Sequence, residues 1–186
     1  CFLIMFILSC VGAIAELDDY IGLLGTEIGV PLTFIGGLFA IANIAETIGG
    51  LTAKFFTKLS IKFISIIIFI MGGLFALTAF SDVKTIWLIL FFAYFFYAII
   101  KISLTVKIQN AVPSSRRSMV LSLLDMLGEL SIMIFYGIVT IGSVLDGYRL
   151  GYLLCGVAII ILSVIGILFI KEIKKIKNQT CCTIKN

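Results

Sequence analysis

Apolar runs of roughly 20 residues, separated by short polar clusters, recur along the whole chain. That is the length a helix needs to cross a bilayer. Irregular backbone cannot face lipid, so such runs must be helices or barrel strands. Barrel strands alternate with period two, and stretches such as Ile64–Met71 do not. Composition agrees: 61% of the residues are hydrophobic and only 13% charged, and the mean hydropathy is +1.24. A soluble domain carries about 25% charged residues, so there is too little polar surface here for a water-facing globule.

The runs predict an all-α integral membrane domain over 1–170. Its helices are expected at about 1–25, 31–56, 61–81, 85–111, 117–144 and 149–170, followed by a basic tail over 171–186. Pro31, the Ser81–Lys84 turn, Pro113 and Asp146-Gly147 mark breaks. Charge is segregated. The tail side collects Lys54, Lys58, Lys62, Lys107, Arg116 and Arg117, against the single acid Glu172. The other side collects most of the acids. An excess of Lys and Arg marks cytoplasmic loops, so six crossings place both termini in the cytoplasm, in a plasma or inner membrane. Asn178-Gln-Thr, formally a glycosylation sequon, then lies on the wrong side. The chain starts at Cys1 and is apolar from residue 2, without the basic region of a signal peptide. A fragment or processed chain is expected. There is no histidine, and the five cysteines lack ligand spacing, which argues against a zinc site. Cys1, Cys10 and Cys155 read as small apolar residues. Cys181-Cys182 reads as an inert tail or a palmitoylation site.

Ionisable residues at membrane depth mark functional sites by default. At about 1.5 Å per residue, Glu46 lies about 12 Å from the basic edge, Lys101 about 15 Å, Asp125 about 13 Å, and Glu129 one turn deeper. Asp125 and Glu129 are spaced i, i+4 and share a helix face. Four charges from three helices are thus expected to converge on one stratum, with Lys101 paired to Asp125 and Asn43 a hydrogen-bonding partner of Glu46. They cannot all stay ionised cheaply in a low dielectric, so at least one is expected to bind a proton near neutral pH. A fixed Lys101–Asp125 ion pair that only holds helices together is the structural alternative. Glu16, Asp19 and Tyr20 also share a face. They read as a solvated helix end or as the rim of an outer cavity. The helices at 61–81 and 149–170 carry no charge in mid-span and read as lipid-facing. Their glycines, Gly72, Gly73, Gly151, Gly156 and Gly166, read as packing positions. The aromatic run at 91–97 reads as packing, or as the lining of a pathway.

Three passages carry a resemblance. Ile108–Ser122 (IQNAVPSSRRSMVLS) resembles an "iQ…P…R-[AG]-[TS]-v-l-S" segment, with Arg117 at the position of its arginine. Gly25–Gly36 resembles an "lG.s…iG" helix start. Gly50–Lys58 resembles a G-x-x-x-D-R-x-G-x-R loop, with Lys54 where the acid stands and Thr57 where a glycine stands. Together they resemble the C-terminal six-helix half of a major facilitator superfamily transporter. The resemblance implies two inverted three-helix repeats, a pseudo-symmetric second half, and transport by rocking about a midplane site. It also implies a peripheral third helix in each repeat, and a cytoplasmic loop or gate at Lys54, Lys58, Pro113 and Arg117.

The resulting expectation is a secondary active, proton-coupled carrier of a small solute. Its expected partners are the solute, H+, the bilayer, and a missing N-terminal half or a second copy. No cofactor, metal or nucleic acid is expected. A non-transporting sensor or anchor module is the alternative, since fold does not fix function. An enzyme is not expected, because no Ser or Cys lies beside a credible base.

Overall fold

The computed structural model describes residues 2–13, 15–57 and 59–183, with side chains for 5–13, 17–57 and 59–168. The elements are α1 (Phe2–Gly12), a 3-10 turn (Ala15–Tyr20), α2 (Ile21–Ile28), α3 (Leu32–Phe56), α4 (Ile61–Leu77), α5 (Ile86–Ala111), α6 (Arg117–Asp146) and α7 (Tyr148–Thr183). Short 3-10 turns end α4 (Thr78–Phe80) and precede α6 (Ser114–Arg116). No strand occurs among the described residues. Among the described residues, five stretches are long and apolar enough to cross a membrane: Leu32–Phe56, Ile61–Phe80, Ile86–Ala111, Ser114–Asp146 and Tyr148–Leu168. The architecture is that of an all-helical, multi-pass membrane protein.

The boundaries follow local chemistry. Pro31, at φ −57° and ψ 140°, cannot continue α2 and opens α3. Gly29 ends α2 in the left-handed conformation, at φ 96°. The Gly29 and Val30 amides then donate to Thr26 O (3.1 Å) and Gly25 O (2.9 Å), a Schellman cap. Gly147, at φ 88° and ψ 177°, lies in a region essentially restricted to glycine, and it breaks α6 from α7.

Two expectations are corrected. The continuous helix over 1–25 is instead α1, the 3-10 turn and α2. The turn is held from outside: Tyr152 Oη donates to Leu17 O at 2.6 Å. In an unbroken α-helix that carbonyl would take the Ile21 amide. The last helix does not stop near 170, because α7 continues through the basic stretch to Thr183.

The helices pack through small residues. A methyl at Gly156 would meet the Ala76 backbone and Gly72 O, so α4 and α7 touch backbone to backbone. Gly142 of α6 abuts Gly151 of α7, and Gly49 of α3 abuts Phe95 O and Ala98 of α5. The expected packing role thus fits Gly72, Gly151, Gly156 and Gly166, the last against Ile7, but not Gly73, which has open space beside it. Tyr97, Tyr152, Phe75, Leu17, Leu38 and Leu90 are fully buried between the helices. α4 and α7 each bury one side in the bundle. In an apolar 18-residue window of each, buried residues make up 44% for α4 and 39% for α7, against 22% for α3 and 11% for α6. The two helices that carry Glu46, Asp125 and Glu129 are therefore the least enclosed.

Candidate functional site

A cavity of about 350 Å³ lies between α1, α5 and α6. Asp125 and Glu129 reach it from one face of α6, as their i, i+4 spacing requires. Lys101 and Thr105, also four residues apart, reach it from α5. Ser9 and Gly12 line it from α1 and Gly128 from α6, over an apolar floor that includes Leu8, Leu124 and Ile132. Gly12 and Gly128 make the room: a Cβ at either would meet nothing within 4 Å. Asp125, Glu129 and Lys101 are exposed, so the cavity is open on one side.

The hydroxyl protons of the lining are committed. Ser9 Oγ donates to Met5 O at 2.9 Å, and Thr105 Oγ1 donates to Lys101 O at 2.8 Å. Their lone pairs are left for a ligand. Lys101 Nζ lies 5.2 Å from the centroid of the Tyr97 ring, within cation–π range.

The expected single stratum is in fact two groups. Lys101, Asp125 and Glu129 come together, whereas Glu46 and Asn43 do not line this cavity. Asn43 shares a shallow recess of about 240 Å³ with Ile44, Thr47 and Ile48. Its Nδ2 donates to Phe39 O at 2.8 Å, which replaces the expected bond to Glu46. Glu46 is half-buried on α3. Tyr94 Oη has no hydrogen-bond partner among the described residues. Its ring packs edge-on against Phe75, with centroids 5.9 Å apart, and against Tyr97 at 6.3 Å.

At the acidic end, Asp19 accepts from Tyr136 Oη at 2.8 Å. Tyr20 packs on Tyr136 and Tyr148, with centroids 5.3 and 6.2 Å apart. Glu27 Oε2 accepts from the Tyr148 amide at 2.6 Å. Asp19 and Tyr20 therefore tie the broken N-terminal segment to α6 and α7. The Glu16 side chain lies outside the described residues. At the basic end, Lys54 is exposed, with Nζ 5.1 Å from the Phe55 centroid. Pro113 opens the turn before α6, and Arg117 Nε donates to Val112 O at 3.4 Å. Lys58 lies outside the described residues.

Sequence reasoning missed Ser9, Gly12, Thr105 and Gly128. Thr105 was within reach, one turn from Lys101, but Ser9 and Gly12 sit in an apolar run that gives no polar signal. Lys107 was read only as a basic-side charge. Its Nζ donates to Thr57 O at 3.0 Å, capping the end of α3. Among the described residues, no group of three His, Cys, Asp or Glu could hold a metal ion. Compared with family models, curated proteins and solved structures, the chain has no match.

Proposed function

We propose that this chain is the C-terminal six-helix half of a secondary active transporter of the major facilitator type. In this reading the broken segment Phe2–Ile28 is the sixth crossing, the basic end faces the cytoplasm, and the protein moves a small solute coupled to protons. The observation that carries the proposal is the cavity lined by Lys101, Asp125 and Glu129 amid membrane-length apolar helices. Ionisable groups at that depth are retained for pathways and proton relays. A volume of about 350 Å³ falls in the usual small-molecule range of about 300–1,000 Å³. The open side of the cavity would be closed by a second six-helix half, and rocking of one half on the other would expose it alternately.

Solute flux driven by a pH gradient, measured in the intact protein, tests this. Asp125→Asn and Glu129→Gln are expected to abolish the pH dependence, and Glu46→Gln to weaken it. Unchanged pH dependence in all three variants would sink the coupling proposal.

A further inference from the structure

Resting on the transporter reading, we propose that the cavity between α1, α5 and α6 binds small organic cations, of the primary ammonium or guanidinium class. The argument is an inventory of charge and of donors and acceptors. Asp125 and Glu129 supply two acceptor-only carboxylates, and Lys101 supplies one cationic donor. With both acids ionised, the formal charge of the described lining is one negative. Ser9 and Thr105 give their protons to Met5 O and Lys101 O, so toward the cavity they too act as acceptors. Acceptors thus outnumber donors, and the ligand that completes the site brings one positive charge and several N–H donors.

The alternatives fit less well. An anion would meet two carboxylates and a single lysine. A neutral polyol would leave the excess negative charge uncompensated in a partly apolar site, which is costly. Lys101 offsets one carboxylate and leaves the other for the incoming cation. The apolar floor of Leu8, Leu124 and Ile132 suits the hydrocarbon part of such a ligand. Gly12 and Gly128 leave the space for it.

Gly128→Cys gives a direct test, because a Cβ there meets nothing within 4 Å and the new thiol would line the cavity. The background carries Cys1→Ser, Cys181→Ser and Cys182→Ser, and Cys10 and Cys155 are buried. In detergent, the thiol is reacted with 2-aminoethyl methanethiosulfonate, a cation, and with 2-sulfonatoethyl methanethiosulfonate, an anion. The cation-to-anion rate ratio is expected to exceed that of a free thiol by about tenfold or more, given the local negative charge. Adding Asp125→Asn and Glu129→Gln leaves the Lys101 charge alone in the described lining and is expected to drive the ratio of that variant below the free-thiol value. Butylammonium is expected to slow labelling, and butyrate to leave it unchanged. A ratio at or below the free-thiol value, or protection by butyrate alone, overturns the assignment. If the Gly128→Cys protein does not fold, thermal stabilisation of the unaltered chain decides, with butylammonium expected to raise the midpoint and butyrate not. Stabilisation by butyrate, or by neither, is the refuting result. Cation preference without solute flux would refute the carrier reading alone, and proton-driven flux without cation preference would refute only the cation site.

Discussion

Replacing Gly156 with alanine puts one methyl group between two backbones. The new Cβ would lie 2.7 Å from Gly72 O and 2.8 Å from Ala76 Cα, with Ala76 N nearer still. Carbon atoms rest at about 3.5–4.0 Å, so α4 and α7 must part by roughly 0.7–1 Å. A gap of that size forfeits a quarter to a half of each dispersion well of about 0.1–0.2 kcal/mol. Over about thirty atom pairs the loss is about 2 kcal/mol, within the range of about 1–3 kcal/mol for overpacked sites. The better helix propensity of alanine returns up to about 1 kcal/mol. The net expectation is destabilisation by about 1 kcal/mol. Gly73→Ala is the control, since its Cβ would meet nothing within 4 Å. It gains the propensity without the clash and is expected to be neutral or more stable by up to about 1 kcal/mol. Unfolding by a denaturing detergent in mixed micelles, followed by circular dichroism and by the single tryptophan, Trp87, reads both. A Gly156→Ala protein as stable as the parent would refute the backbone contact. Equal loss in the two variants would refute the assignment of Gly156 inward and Gly73 outward.

Two tyrosines give a second contrast. Tyr152→Phe removes the bond to Leu17 O and is expected to cost about 0.5–1.5 kcal/mol, with faster amide exchange in Ala15–Tyr20. Tyr94→Phe removes a buried hydroxyl with no partner among the described residues and is expected to cost nothing or to stabilise. Glu27→Ala strips the acceptor from the Tyr148 amide at the α6–α7 break. Its expected cost is about 1 kcal/mol, read in the same detergent titration, and no change would show that the bond is dispensable.

The long helices α3 to α6 were legible in the sequence because the bilayer dictates their length and Pro31, Pro113 and Gly147 punctuate them. The first segment was not. Its 3-10 turn, Ala15–Tyr20, is held by a hydroxyl from Tyr152, 135 residues away. Asp125 and Glu129 were legible as one face because helix periodicity fixes that. Glu46 lies outside the cavity they line for a definite reason. Counting residues from the membrane edge gives depth, which assigns a layer. It does not give the direction in which a helix turns within that layer. That direction is set by contacts such as Gly49 against Phe95 and Ala98, and these lie on other helices. Lys101 shares both the layer and the direction of Asp125 and Glu129, and so lines the same cavity.

The exposed faces of the bundle differ in kind. α4 and α7 expose apolar side chains such as Phe63, Phe69, Ile161 and Val164, as α3 and α6 expose Ile44, Ile48, Met126 and Met133. On α6 the exposed side chains include Ser118, Ser122, Asp125 and Glu129, and on α3 they include Asn43 and Thr47. An acid facing hydrocarbon at mid-membrane costs about 2.5–3.5 kcal/mol on insertion scales. Two on α6 would cost about 5–7 kcal/mol, comparable to the whole net stability of about 5–15 kcal/mol of a typical protein. Lipid is therefore expected against the α4 and α7 faces, and water or protein against the polar faces of α3 and α6. A bimane fluorophore on Phe69→Cys or Ile161→Cys, reconstituted with spin-labelled phosphatidylcholine, is expected to be strongly quenched. The same fluorophore on Thr47→Cys or Ser122→Cys is expected to be quenched no more than an aqueous control, whether water or a partner lies against it. Strong quenching at Ser122 would put Asp125 and Glu129 against lipid, and the cavity between α1, α5 and α6 could not then serve as a solute site.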